Sequence, residues 1–462
     1  MNRHRIGLVA ALAVGALVIA ACSSTGSTGG SSSTTSGADA DAAGSPAPAN
    51  SASGGVTGTP SGASLSGNVT LLKHFNDFEK DYNIQLSEGF TKKNSGVKVN
   101  VVTPQTGAVF AKFQTLVAGG QPPTVYLANL NYLPQLYKDD ALVPLDLNQL
   151  GVGSIDELAK QYIPGALDPY TRDGKLYGIP EEVSNYQTWA NKSYFEAAGL
   201  DIPKTWDDVC AAGEKVSIVE DGVPKREVIA LPTNFSAATG LILDAVAREF
   251  DANLFSEDGT EAHLTDPGVF KEFQMFQDLV FKCKAFFPSM NGSTTAQERV
   301  LFGEGQSAML LDAGSWYAPQ LAQQYPKVSA VATVAPYPTV EGHAPENDIY
   351  GYAYVVPQGQ LNETTSAYLG YLKDQGEAAF KLGLYSGLAN LADTETAKST
   401  PFWGTNWAPS LAEGKAQPLL VNASQIYDIL QQAFNQVVIN HADVTQTLEA
   451  AQRQVAPLLN KK

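Results

Sequence analysis

The 462-residue chain carries 30 Lys and Arg against 47 Asp and Glu, a formal charge of −17, with 44% of its residues apolar. That length can bury two or more cores, while so acidic a balance excludes a nucleic-acid surface, which needs basic patches to displace counterions. The five histidines, His4, His74, His263, His343 and His441, are scattered, so no metal site with ligand-like spacing and no cofactor is expected.

Residues 1–22 combine a basic start (Arg3, His4, Arg5), an apolar run from Ile6 to Ala21 and small residues before Cys22. This is the pattern of an export signal, with an uncleaved anchor helix as the alternative; the run is short for a stable span. Ser23–Gly67 is almost all Ser, Thr, Gly, Ala and Pro, and cannot bury enough apolar surface to order itself. Such a tether has a root-mean-square span of roughly 35–40 Å. No later segment is long and apolar enough to span a bilayer.

From Asn68 the chain alternates. NVTLL (68–72) reads as a strand, a helix runs to about Asn94, VKVNVVTP (97–104) is a second strand, Val109–Ala118 a helix, and TVYLANL (124–130) a third strand after the breaker GGQPP. This is the order of a parallel sheet with covering helices, in which ligands sit beyond the carboxyl ends of the strands. The residues there are His74, Phe75 and Asn76, then Gln105 and Thr106, then Asn129 and Asn131. The stretch 174–209, GKLYGIPEEVSNYQTWANKSYFEAAGLDIPKTWDDV, follows, with a bend expected at Glu181–Asn185 and a helix capped by Thr205. Beyond it come a helix over 206–214, a strand over 228–231, a helix starting at Phe235–Thr239, a turn at Asp258-Gly259 and a helix capped by Thr265. ERVLFGEGQSAMLLDAGSWYAPQL (298–321) reads helix, strand, helix, and 364–462 reads mostly helical.

The order "GK.YGIP, a strand, NK..FE.AGLD.P.TW", with "AGGQPPTVYLAN", "LYKDDALVPLD" and "AM...GSW" in sequence, resembles the extracellular solute-binding proteins of ABC importers, in the sugar-binding family that includes maltose- and glycerol-phosphate-binding proteins. Thr124 stands where that family usually has Asp, and no internal repeat is visible. The resemblance implies an α/β, periplasmic-binding-protein-like fold of two lobes, each a mixed, mostly parallel sheet flanked by helices, 68–181 with about 325–390 and 182–324 with about 391–462, joined by hinge crossings near Glu181–Asn185 and Ile349–Tyr352. It also makes Ile19-Ala20-Ala21-Cys22 a lipobox, with Cys22 lipidated on the outer face of the cytoplasmic membrane. Cys210 and Cys283 are then left either to pair or to remain as two buried thiols.

A sugar needs aromatic plates for its C–H faces and polar groups for its hydroxyl rim. Trp316, in the family's Gly-x-Trp motif, is the leading plate, with Phe235, Tyr350, Tyr352, Trp403 and Trp407 as further candidates; His74, Phe75, Asn76, Asn129, Asn131 and Glu182 form the candidate rim. Trp189, Trp206 and Tyr354 are expected to pack in the interior. These candidates include no Arg, and the one nearby Lys is Lys73, which favours neutral mono- or oligosaccharides over phosphate esters. The expected partners are a carbohydrate, an ABC permease and, through the lipid, the membrane, with the binding protein itself monomeric and not an enzyme. A secreted glycoside hydrolase is the competing reading, although Glu181 and Glu182 point opposite ways in an extended segment. A carbohydrate-binding surface adhesin is the third.

Overall fold

The computed structural model describes residues 64–461 apart from 75, 105–107 and 293–295. The export segment, Cys22 and nearly all of the tether therefore lie outside the described residues, as do Phe75, Gln105 and Thr106. Among the described residues no helix is long and apolar enough to cross a membrane.

Strands β1 (Gly67–Leu72), β2 (Val97–Val102) and β3 (Val125–Asn129) alternate with helices Lys80–Lys93 and Val109–Ala118, as the hydrophobic spacing predicts. A two-residue ribbon, β4 (Thr171–Arg172) with β5 (Lys175–Leu176), leads into β6 (Gly178–Asn185), which passes through Tyr186 into β7 (Gln187–Asn191). A hairpin, β8 (Ile218–Glu220) with β9 (Val223–Ala230), precedes β10 (Ser307–Ala313), β11 (Ala332–Ala335), β12 (Asp348–Val355) and the short β13 (Lys415–Ala416).

These strands make two main sheets. The first runs β13-β12-β3-β1-β2, parallel where β1 meets β2 and β3, with β12 antiparallel to both β3 and β6. The second runs β11-β7-β10-β9-β8, with β10 parallel to β9. The chain crosses from the first sheet to the second in the single step from β6 to β7, and β12 brings it back from β11. Both crossings thus lie side by side as the β6–β12 pair, which is the geometry of a hinge.

Local chemistry sets the helix ends. Thr205 Oγ accepts from Asp208 N–H while Asp208 reaches back to Thr205 N–H, so the cap read from the sequence is a full capping box. The helix Pro267–Phe281 corrects the expected Thr265 cap: Asp266 precedes it, because Pro267 lacks an N–H and holds the dihedral suited to the first helical position. Cys210, on the helix Trp206–Val216, is disulfide-bonded to Cys283, just past the helix Pro267–Phe281.

Candidate functional site

Alternation along the hinge strands decides what faces the space between the sheets. Tyr350 stands opposite Ser184, and Tyr352 opposite Glu182, so Tyr350, Tyr352 and Glu182 share one face of the β6–β12 pair while Ile349, Gly351 and Val183 take the other. The ends of β1 and β3 add His74, Asn76, Asn129 and Asn131 to the first face. From the second sheet come Phe235, at the start of the helix Ser236–Glu249, and Trp316, directly after β10.

Together they enclose two cavities of about 40 Å³ each. Asn76, Glu182, Arg299 and Trp316 line the first; Asn129, Asn131, Tyr132 and Phe110 line the second. His74, Tyr186, Phe235, Tyr350 and Tyr352 line both, so the two are chambers of one cleft. Pockets that hold an organic ligand measure roughly 300–1,000 Å³, so the walls must part before a sugar ring can enter.

The aromatic wall is held by directed contacts. Trp316 Nε1 donates to Tyr350 Oη at 2.6 Å, and Tyr350 Oη donates to Glu182 Oε1 at 3.1 Å, a chain that joins a plate on one sheet to a carboxyl on the other. Gly314 is required beside it: a Cβ there would lie 2.7 Å from both Ser184 Oγ and Tyr350 Oη. The His74 ring packs on Tyr352 with centroids 4.9 Å apart, and Tyr186 on Tyr350 at 4.8 Å.

Charge in the cleft is almost entirely desolvated. Lys73, fully buried behind His74, reaches Glu79 at 2.6 Å and Glu181 at 3.3 Å; burial alone would lower its ammonium, but the two carboxylates outweigh burial and hold it above its ordinary range. Burial, with adjacent Glu181 second, pushes Glu182 from 4.5 up to about 8. The native state therefore keeps a proton that the unfolded chain releases from about pH 4.5, so this contribution to stability is fully present below pH 4.5 and is lost as pH rises through 8. Stability should fall across that window by up to about 1.4 kcal/mol per pH unit for the one group. Glu249, buried beside Trp206 and also raised to about 8, adds a similar slope. Urea unfolding between pH 5 and 8 should accordingly show a shallower fall in Glu182→Gln than in the parent chain, and an unaltered slope would contradict the assigned protonation.

Arg299 is the residue that reading the sequence missed. It lies on the helix Gln297–Gly303, its guanidinium 4.7 Å from the Trp316 ring and 5.4 Å from Phe235, with Nε and Nη2 on Asp312. Burial works against its charge, and Asp312 more than restores it. The expectation of a cleft with no arginine is thereby corrected, although a guanidinium already matched by a carboxylate has lost most of its pull on an anionic ligand. Nothing local in ERVLFGEG signals this placement; the helix pattern hides which face meets the cleft.

Of the candidate residues, Trp316, His74, Asn76, Asn129, Asn131, Glu182, Phe235, Tyr350 and Tyr352 meet in the two chambers. Trp403 and Trp407 do not. Trp403 lines a separate cavity of about 600 Å³ on the opposite face of the hinge, with Val183, Ile349 and Gly351, and packs on Phe380 and Tyr385. Trp407 is buried against Trp189. Trp189, Trp206 and Tyr354 are interior, each with its polar atom bonded.

The model of the family described as bacterial extracellular solute-binding protein matches residues 85–401. An arabinooligosaccharide-binding protein of Bacillus subtilis is 26% identical over 316 residues, 67% of this chain and 70% of the relative. An sn-glycerol-3-phosphate-binding periplasmic protein of Rhizobium meliloti is 26% identical over 400 residues, covering 79% and 88%. Among solved structures, the GacH receptor of Streptomyces glaucescens, known unliganded and with acarbose, aligns with a TM-score of 0.74 at 19% identity over 86% of this chain and 99% of its own. Maltose-bound MalE3 of T. maritima aligns at 0.73 and 14% identity over 85% and 100%.

Proposed function

The chain belongs to the bacterial extracellular solute-binding protein family, and from that premise we propose that it captures a carbohydrate between its two sheets and delivers it to an ABC permease. The observation that carries this reading is the composition of the cleft: aromatic faces from both sheets, Trp316 and Phe235 opposite Tyr350 and Tyr352, rimmed by His74, Asn76, Asn129, Asn131 and Glu182. Aromatic rings suit the C–H faces of a sugar, and amides, imidazole and carboxyl suit its hydroxyls. Each sheet forms the core of a lobe, and the β6–β12 pair is the hinge; a ligand that touches both walls favours the closed arrangement by its differential affinity for it.

The family is extracellular. We assign Cys22 as the lipid-bearing residue that tethers a monomeric binding protein to the outer face of the cytoplasmic membrane through 23–67. Loss of lipid label in Cys22→Ser, with release of the protein into the medium, checks that assignment; unchanged labelling would remove it.

A thermal-shift screen of arabino-oligosaccharides, malto-oligosaccharides, monosaccharides and sn-glycerol 3-phosphate tests the main reading. A ligand present at 100 times its dissociation constant stabilises by about 2.7 kcal/mol, and the best sugar should also compact the protein in small-angle scattering. A tightly bound sugar that leaves the dimensions unchanged would eliminate closure, and a panel with no stabilising sugar would eliminate the substrate class.

A further inference from the structure

Glu79 lines neither chamber, yet it holds two residues that do. It closes the short turn Asp77–Glu79 after β1 and is fully buried. Its Oε2 lies 2.6 Å from Lys73 Nζ; its Oε1 accepts from Asn76 Nδ2 and lies 3.2 Å from His74 Nε2. Both cleft-lining side chains at the end of β1 thus hang from one carboxylate oxygen.

Lys73 is the charge that makes this possible, and it also reaches Glu181, 3.3 Å away, which accepts from Tyr354 Oη. Although burial opposes its ionised form, the Lys73 charge above all holds the Glu79 carboxyl well below the ordinary range. An ionised carboxylate only accepts, so the nitrogen facing it must carry a hydrogen. A neutral imidazole has one N–H and one lone pair; with the hydrogen on Nε2, the lone pair is on Nδ1. That Nδ1 is buried and has no hydrogen-bond partner among the described residues. The ring lines both chambers and rests on Tyr352. A buried acceptor without a partner carries a standing cost that a donor on an incoming molecule removes.

We propose that Glu79, backed by Lys73, is a positioning residue that fixes His74 with its hydrogen on Nε2, so that Nδ1 is presented to the cleft as a bare acceptor selecting ligands that bring a hydroxyl donor over those that bring a phosphate or carboxylate oxygen. Selection follows because a phosphate at neutral pH offers acceptors to a site that already supplies one, and two facing acceptors leave both unpaired. This deepens, and rests on, the reading of the cleft as a sugar site, but its first measurement does not need a sugar.

Long-range proton–nitrogen NMR of the ligand-free full chain, labelled at histidine, tests it, with the His74 signals assigned by their loss in His74→Gln. The expected spectrum at neutral pH has a protonated Nε2 and a bare Nδ1. A hydrogen on Nδ1, alone or with one on Nε2, overturns the proposal. In Glu79→Met, which removes the acceptor at similar volume, the ring should become a mixture of tautomers and affinity for maltotriose should fall at least tenfold; a single Nε2–H tautomer in that variant overturns the role of Glu79. Should that variant not fold, the parent spectrum still decides, and so does titration with sulfate, an oxyanion with no hydrogen to donate, which should leave Nδ1 unmoved. A sulfate-induced shift of Nδ1 overturns the selectivity. Failure of maltotriose to bind, with the expected spectrum intact, counts against the sugar assignment alone.

Discussion

Replacing Trp316 by alanine should weaken binding of the best sugar by about 30-fold or more, corresponding to the roughly 2 kcal/mol of a buried aromatic anchor. It should also lower stability by about 3–5 kcal/mol, the usual range for emptying a buried tryptophan site. Both losses come from one side chain because Trp316 has two jobs. Its indole N–H anchors Tyr350, and through it Glu182, while its face carries the Arg299 guanidinium and lies parallel to Phe78 at a centroid distance of 6.3 Å. Calorimetric titration and urea unfolding separate the two effects. Trp316→Phe should recover much of the stability, since it refills most of the volume, but not the hydrogen bond to Tyr350. Affinity unchanged in the alanine variant would take Trp316 out of the binding site.

Removing the disulfide should have an effect of similar size by a different route. Cys210 and Cys283 are 73 positions apart, and in the chain-entropy model closing a loop of that length restricts the unfolded ensemble by about 4 kcal/mol. The folded state has little to lose, because the two segments are already in tight contact: a Cβ at Gly213 would lie 1.9 Å from the Cys283 carbonyl oxygen. Cys210→Ser with Cys283→Ser should therefore keep the ligand affinity, since neither residue lines the cleft, and should shift the urea midpoint strongly downward. A reductant that leaves the midpoint of the parent protein unchanged would show that the bridge contributes nothing.

Short-range chemistry is the part of the molecule that its sequence makes legible. The Thr205 cap, the β1–β3 alternation, the strand after Gly303 and the turn at Asp258-Gly259 depend on residues within a few positions of one another, and each is visible in the order of the amino acids. The Thr265 cap failed on the same scale, because Pro267 moves the helix start by one residue. The cleft residues at strand ends were legible as a group, since a parallel sheet directs those ends to one edge. The tryptophans were not: Trp403 and Trp407 have the composition of binding plates, but one lies behind the hinge and the other in the interior.

By itself, the amino-acid sequence determined the order of the main elements, the Thr205 cap and the family, and through the family the two crossings, because each is written in short windows or in the order of windows. Only the tertiary structure decided that Cys210 meets Cys283, that Arg299 enters the cleft under Trp316, and that one carboxylate, Glu79, organises Lys73, His74 and Asn76. Tyr350 and Glu182 bond across 168 positions. Burial at such a junction depends on what every other segment leaves uncovered, and that sum over distant parts of the chain has no local signature.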